Sequence, residues 1–392
     1  MRIALFTDTY PPFINGVSTS CYNLVKALRE RGNQVLVITP NPESNKEVVR
    51  KGDDVLLPGL EMKKLYGYRL TKFFSKHVYD IVKDFKPDVL HNQTDSTVGQ
   101  FAKIVAKSLN VPIIYTYHTS YEDYTYYATH GFLDRVAKRV VRTYAKVVGD
   151  NSTEFITPSV KTKEYMRFAG SDIYINIIPT GIDFSLFDED KQDPEKQKAF
   201  REAHGIKENT KVFLILGRIA KEKSMDFSIK GFAKYAKKHP EQDVKLLVVG
   251  GGPQADELKQ LVKDLDIQDK TDFIGPVPAS EVPFYYHLAD IYTSASITET
   301  QGLTFMEAMV AKDIVLARYD DNLSGTIIDG QTGFFFTDED TFIEKAERVF
   351  SMSNKEREEI YANAMKIVDM YSIEKFYMNI MGVYKRAIKK FW

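Results

Sequence analysis

Two carboxylates, Glu299 and Glu307, stand eight residues apart in the run Thr298-Glu-Thr-Gln-Gly-Leu-Thr-Phe-Met-Glu-Ala-Met309, with Gly302 between them. Ahead of the run, Asp290-Ile-Tyr-Thr-Ser294 reads as a short strand that ends in a polar loop. Behind it, Leu303, Met306, Glu307 and Val310 keep a helical period. The first glutamate is therefore placed in a loop, and the second on the helix which that loop opens. The amides of Gln301, Gly302 and Leu303 should point out of the helix N-terminus, where N–H groups without intrahelical partners favour anions. Glycine at 302 lets a phosphorylated ligand come close to the backbone. Amides for phosphate and carboxylates for sugar hydroxyls together make the chemistry of a nucleotide-sugar site. Two glutamates in a chain that is 27% charged also reach this spacing by chance, so the flanking segments have to decide.

Other positions with chemical capacity lie at similar strand ends. Val212-Phe-Leu-Ile-Leu is followed by Gly217, then by Arg218 and Lys223 five residues apart. Val111-Pro-Ile-Ile-Tyr-Thr reads as a strand that delivers His118-Thr-Ser-Tyr121-Glu-Asp123-Tyr124. A tyrosine-dense polar segment makes a poor core piece, because each buried hydroxyl would need a partner. A lone histidine after a strand is more often structural, so its surroundings carry the functional reading.

The elements that must position these groups alternate between strand and helix. Ile3-Ala-Leu-Phe6, an amphipathic helix marked by Leu24, Ala27 and Leu28 and ended by Gly32, and Val35-Leu-Val-Ile38 make a βαβ start and imply a parallel sheet. Pro87 to His91 is a further strand, and Asn92-Gln93-Thr94-Asp95 would sit at the sheet's carboxyl edge, where open α/β sheets bind ligands. The first loop has no G-x-G-x-x-G fingerprint, and Pro253 breaks it in Gly250-Gly-Gly-Pro253, which counts against a dinucleotide cofactor and a Rossmann-fold oxidoreductase. The polar run from Asp188 to Lys198 reads as the domain boundary.

Taken in order, these pieces resemble the retaining glycosyltransferases with two Rossmann-like domains. The resemblance rests on Glu-x7-Glu at the helix start, on Arg218 and Lys223 after Gly217, and on the Gly-x-Gly-Pro turn at 250–253. It implies an α/β fold of two Rossmann-like domains facing across a cleft (GT-B), with a C-terminal helix crossing back to the first. The domains expected are 1–190 for acceptor and membrane, 191–371 for the nucleotide sugar, and 372–392 packing back. It also implies roles. Glu299 would hold sugar hydroxyls and Glu307 the donor's ribose, with the amides at 301–303 on phosphate. Arg218 and Lys223 would clamp the leaving diphosphate, Gly16 would approach the donor phosphate, and backbone at Pro276 and Val277 would contact the nucleobase. Intact Glu299, Glu307, Arg218 and Lys223 argue against a scaffolding protein with a dead site.

The His-Thr-Ser-Tyr-x-Asp-Tyr run, together with Thr-Glu-Thr-Gln-Gly in place of the commoner Glu-Gly-Phe-Gly, is similar to the branch that glucosylates diacylglycerol. His118 would then line the site beside the transferred sugar, with Tyr121, Asp123 and Tyr124 on the acceptor side. UDP-glucose is the expected donor and diacylglycerol the expected acceptor, with a phosphatidylinositol-type or small soluble acceptor as the runner-up. No cofactor, bound metal or nucleic-acid partner is expected.

Charge and composition set the location. Residues 1–182 hold 24 Lys and Arg against 18 Asp and Glu, whereas the rest hold 29 against 36. Residues 61–86 read as a basic amphipathic helix, with Lys63, Lys64, Arg69, Lys72 and Lys76 opposite Leu70, Phe73, Phe74 and Val78. Residues 132–148 repeat the pattern with Arg135, Lys138, Arg139 and Arg142. A positive half with two such helices suits an anionic membrane surface, although solvated faces of ordinary helices have the same pattern. One cysteine, Cys21, permits no intrachain disulfide and suits a reducing compartment. No apolar run approaches the roughly 20 residues of a membrane span. The expected location is cytoplasmic, peripheral on the inner face of the cell membrane.

Overall fold

Ile3 to Phe6 and Val212 to Leu216 are apolar at every position, a pattern that suits parallel strands covered by helices on both faces. The computed structural model describes every residue except 14, 44–45, 63–67, 119–142, 144–145, 297–298 and 300, and does not describe the side chains of 68 and 322. The chain divides into two units, Met1–Gly181 with Ile373–Trp392, and Ile182–Ser372.

In the first unit the strands are β1 (Arg2–Phe6), β2 (Gln34–Pro40), β3 (Val49–Lys51), β4 (Asp54–Leu57), β5 (Gly59–Met62), β6 (Tyr68–Thr71), β7 (Val89–Asn92), β8 (Ile113–Thr116), β9 (Glu154–Thr157) and β10 (Ile175–Ile177). Eight form one sheet in the order β10-β9-β8-β7-β1-β2-β4-β3, in which only β3 runs antiparallel to its neighbour. The order reverses at β1, with β2 on one side and β7 on the other, and the carboxyl ends of strands at such a reversal are where open sheets bind ligands. One face is covered by the helix Gly16–Glu30, whose Cys21, Leu24, Val25 and Leu28 join Ile3 and Leu5 in the core. The helix Ile373–Phe391 buries Phe376, Ile380, Val383, Tyr384 and Ala387 in the same cluster. Its far end is tied by Lys390, whose Nζ lies 2.7 Å from the buried carboxylate of Glu154.

The second unit carries β11 (Lys211–Leu216), β12 (Val244–Val249), β13 (Thr271–Gly275), β14 (Ile291–Ser294), β15 (Ile314–Arg318) and β16 (Phe334–Phe336). Their order is β13-β12-β11-β14-β15-β16, all parallel, which is the doubly wound 3-2-1-4-5-6 arrangement. Alternate residues of β11 serve opposite cores: Phe213 and Ile215 face one apolar cluster, Val212 and Leu214 the other. Full burial of each such side chain is worth about 1.5–3 kcal/mol.

Two expectations are corrected. Residues 61–86 are not one helix. Leu60 pairs across from Leu70 and Glu61 from Arg69 in the antiparallel β5–β6 hairpin, and a helix begins only at Lys76, capped by Ser75. The apolar residues Leu60, Met62, Tyr68 and Leu70 follow a period of two, and the helical period starts after Ser75. The division between units also falls earlier than the charge run at 188–198 suggests. Ile182 and Phe187 precede that run and are buried in a core of the second unit. Of the second basic segment, 143 and 146–148 are helical, and 132–142 lie outside the described residues.

Candidate active site

The second unit brings most of the sequence-predicted donor residues together, because β11 and β14 are neighbours at the reversal of strand order. Gly217 leaves β11 with φ +143°, and the chain passes Arg218 before closing a 3-10 turn at Lys221–Lys223. Lys223 Nζ lies 2.6 Å from Glu299 Oε1, in the loop after β14. The pair is largely shielded, with side-chain exposures of 27% and 14%. Arg218 is held likewise, by an ion pair with Glu222, whose carboxylate is nearly buried. Glu222 was not singled out from the sequence. The signal was there in its position four residues after Arg218, the usual spacing for a helical ion pair.

The helix Leu303–Val310 starts from Gly302 in the left-handed region at φ +74°, a residue with no side chain of its own to cap it. A Cβ at 302 would stand 2.8 Å from the Phe305 ring, so the turn needs glycine. A helix start of this kind favours an anion.

Glu307 lies on this helix, and Tyr286 Oη is 3.1 Å from its Oε2 and 3.0 Å from the Thr304 carbonyl. Burial pushes the Glu307 carboxyl up to about 7, while the Tyr286 hydrogen bond opposes the shift. A carboxyl so placed changes charge near neutrality, and it accepts hydroxyl protons once ionised. Tyr286 was also missed by the sequence reading, since nothing local links it to a residue twenty-one positions later.

Around the pair the loops after β11, β12 and β13 are knitted by backbone contacts. Ile219 N donates to Gly251 O at 2.9 Å, and Gly250 N to Gly275 O at 2.9 Å. Side chains at Gly250 and Gly252 would collide with the carbonyl oxygens of Gly217 and Ile219, at 1.8 and 2.2 Å. The glycine run therefore lets backbones pass closely. Pro276, against Gly251, is exposed, and Val277 is half-buried at the edge of the core.

In the first unit, Gly16 opens its helix with Asn15 as cap, and a Cβ there would meet nothing within 4 Å. His118 follows β8 and is half-buried, its Nε2 2.6 Å from Gln93 Oε1. Burial lowers its pKa to about 4, so the imidazole is neutral near pH 7. Asp8 after β1 accepts short hydrogen bonds from Thr94 and Ser96 after β7, joining the two loops at the strand-order reversal. Tyr121, Asp123, Tyr124, Arg135, Lys138, Arg139 and Arg142 lie outside the described residues.

Residues 14–186 match the family described as glycosyltransferase family 4, and residues 196–367 the one described as glycosyl transferases group 1. The alpha-monoglucosyldiacylglycerol synthase of Acholeplasma laidlawii is 34% identical over 342 residues, covering 86% of this chain and 85% of that protein. The enzyme of the same name from Streptococcus pneumoniae is 33% identical, covering 86% of this chain and 75% of its own length. Among solved structures, Anabaena HepE in complex with UDP and glucose matches 98% of this chain and 99% of its own, with a TM-score of 0.74 at 16% identity. That likeness bears on the fold.

Proposed function

The chain belongs to the glycosyltransferases built on two Rossmann-like domains, the GT-B fold, and from that premise we propose that it transfers glucose from UDP-glucose to 1,2-diacylglycerol with retention, giving alpha-monoglucosyldiacylglycerol at a membrane surface. The observation that carries the donor half is the placement of Glu299. It lies 2.6 Å from Lys223, in the loop just ahead of the helix that starts at Leu303. The names of the two relatives at 33–34% identity support the glucose and diacylglycerol half. Among the described residues no helix is long and apolar enough to cross a membrane, which leaves surface attachment as the proposed contact.

In the proposed reaction, the bond from glucose C1 to the diphosphate oxygen breaks as the acceptor oxygen bonds to C1 on the same face. The acceptor's proton passes to the departing phosphate oxygen, so no base is required on the opposite face. Arg218 and Lys223 take the growing diphosphate charge together with the amides of Gln301, Gly302 and Leu303. Glu307 takes the ribose hydroxyls and Glu299 those of the transferred sugar, with backbone near Pro276 and Val277 for the base. By family resemblance Gly16 serves the donor phosphate and His118 the sugar, with Tyr121, Asp123 and Tyr124 toward the acceptor.

The test is incubation with a panel of nucleotide sugars and lipids, with and without chelator, followed by mass and anomer analysis of products. A single α-linked hexose on diacylglycerol, from UDP-glucose and in the presence of chelator, is expected. Transfer confined to a phosphatidylinositol-type or water-soluble acceptor would replace this reading with that one.

A further inference from the structure

His118 is held by a buried chain of polar groups that the donor site does not include. Gln93, two residues after His91, lies at the carboxyl end of β7, beside β8. Its Oε1 is 2.6 Å from His118 Nε2, and its Nε2 is 3.1 Å from His91 Nε2 and 3.3 Å from His91 Nδ1. His91 is bounded by two hydroxyls: Thr116 Oγ1 at 2.7 Å from Nε2, and Tyr384 Oη at 2.7 Å from Nδ1. His91, Gln93, Thr116 and Tyr384 are all buried, none more than 6% exposed. Tyr384 comes from the C-terminal helix, so the amide of Gln93 is backed by groups from β7, β8 and that helix.

The chemistry of this chain has one reading at His118. With the Gln93 amide oxygen turned toward His118, an acceptor only, the imidazole carries its proton on Nε2. Burial keeps His91 neutral as well, with its pKa lowered to about 3. A neutral His91 donates to one hydroxyl neighbour and accepts from the other, which fits a threonine and a tyrosine on its two nitrogens. Nδ1 of His118 is then the nitrogen left as an acceptor.

We propose that Gln93 is the positioning residue of His118: its amide, whose nitrogen lies against the ring of His91, fixes the Nε2–H form of the His118 ring and reserves Nδ1 to accept from a substrate hydroxyl. The role of Nδ1 rests on the assignment of His118 to the transferred sugar, whereas the hold exerted by Gln93 is independent of it. Exchange of the amide for another group of the same shape separates the two.

The experiment uses the full chain, with histidine ring resonances followed against pH in Gln93→Glu, and His118→Phe identifying the His118 signal. A carboxylate in place of the amide oxygen favours the imidazolium, so the His118 titration should rise by about 1–3 units. Gln93→Met, which keeps the length but offers no acceptor, should lower kcat by up to about 10²-fold through misplacement of the ring, with donor KM and the thermal midpoint little changed. An unmoved His118 titration in Gln93→Glu, or wild-type kcat in Gln93→Met where His118→Phe does lower kcat, would overturn the proposal. If the titration moves while His118→Phe keeps wild-type turnover, Gln93 does hold the ring, and the assignment of His118 to the sugar is what fails.

Discussion

Lys223 Nζ and Glu299 Oε1 meet at 2.6 Å across 76 residues of sequence. Their strands are neighbours, and both loops leave the same end of the sheet. Arg218 and Glu222 repeat the arrangement within one turn. Each candidate diphosphate cation thus has a carboxylate partner. A diphosphate must take these hydrogen bonds over, each worth roughly 1.5–3 kcal/mol when charged. On the proposed reading, the exchange also frees Glu299 to accept sugar hydroxyls as the donor seats.

The two glutamates should therefore separate in kinetics. On the proposed assignment Glu299 would contact groups that change as the glycosidic bond breaks, whereas the ribose given to Glu307 does not change. Loss of a transition-state contact lowers kcat, and loss of uniform binding raises KM. Glu299→Gln should lower kcat by roughly 10- to 100-fold, and Glu307→Gln should raise the donor KM with kcat nearly kept. Steady-state kinetics with a folding check decides. Pure KM effects in both variants would reverse the role given to Glu299, and changes under about threefold in both would remove them from the site.

The parallel sheets were legible because runs such as Val244–Val249 are apolar on both faces, and the loop-then-helix placement of the glutamates because Gly302 and the period at 303–310 are local signals. The hairpin was not. Its period-two pattern is interrupted by 63–67 and runs into the aromatic pair Phe73-Phe74, which fits a helical period equally well. Gln93 was legible as a residue at the sheet's carboxyl edge, but the backing of its neighbour His91 by Tyr384 was beyond reach for another reason. Tyr384 lies 293 residues from His91, and only the packing of the last helix brings its hydroxyl there. The charged run at 188–198 misplaced the boundary because solvation of a segment says nothing of where the preceding Ile182 and Phe187 pack.

Glu307 predicts a pH dependence with a definite sign. Its carboxyl moves from an ordinary 4.5 up to about 7, so the folded state binds the proton more tightly than the unfolded chain. The stability this contributes is full below about pH 4.5 and is lost as pH rises through about 7. Glu307→Gln should match the parent near pH 5 and exceed it at pH 8 by about 1–3 kcal/mol, kept modest because the residue is not fully enclosed. Affinity for UDP should move the other way, strengthening through about pH 7 as the carboxylate becomes able to accept ribose hydroxyls. Calorimetric titration with UDP from about pH 5.5 to 8.5 checks this, and a flat profile counts against a carboxylate on the ribose.

Glycine substitutions distinguish scaffold from site. Gly250→Ala faces a carbonyl at 1.8 Å and a backbone at φ +137°, and should cost at least about 3 kcal/mol or abolish folding. Gly16→Ala meets open space at the start of a helix, where alanine is favoured, and should leave the thermal midpoint unchanged or slightly raised. If Gly16 lets the donor phosphate approach, the same variant raises the donor KM. A wild-type KM would strip Gly16 of that role, and an unperturbed Gly250→Ala would contradict the close passage of the loops.

On the proposed reading, membrane attachment would have two separable sources, since β5 and β6 form a hairpin ahead of the helix at Lys76. Arg135, Lys138, Arg139 and Arg142 supply charge, whose attraction to anionic lipid is worth about 1 kcal/mol per residue near the surface and is screened beyond about 10 Å at 0.1 M salt. The hairpin and its exit supply apolar surface: Leu60 and Leu70 are paired across the strands and are 65% and 43% exposed, and Phe73 is 61% exposed. Glutamine at the four basic positions should weaken binding to anionic vesicles and flatten its salt dependence. Serine at Leu60, Leu70 and Phe73 should weaken binding while leaving the salt slope intact, because burial of apolar side chains is not screened. Co-sedimentation with neutral and anionic vesicles over a salt series reads both effects. Salt-independent binding by the parent protein, or equal binding to neutral vesicles, would sink the electrostatic part. Unchanged binding by the serine variant would leave those side chains as ordinary exposed surface.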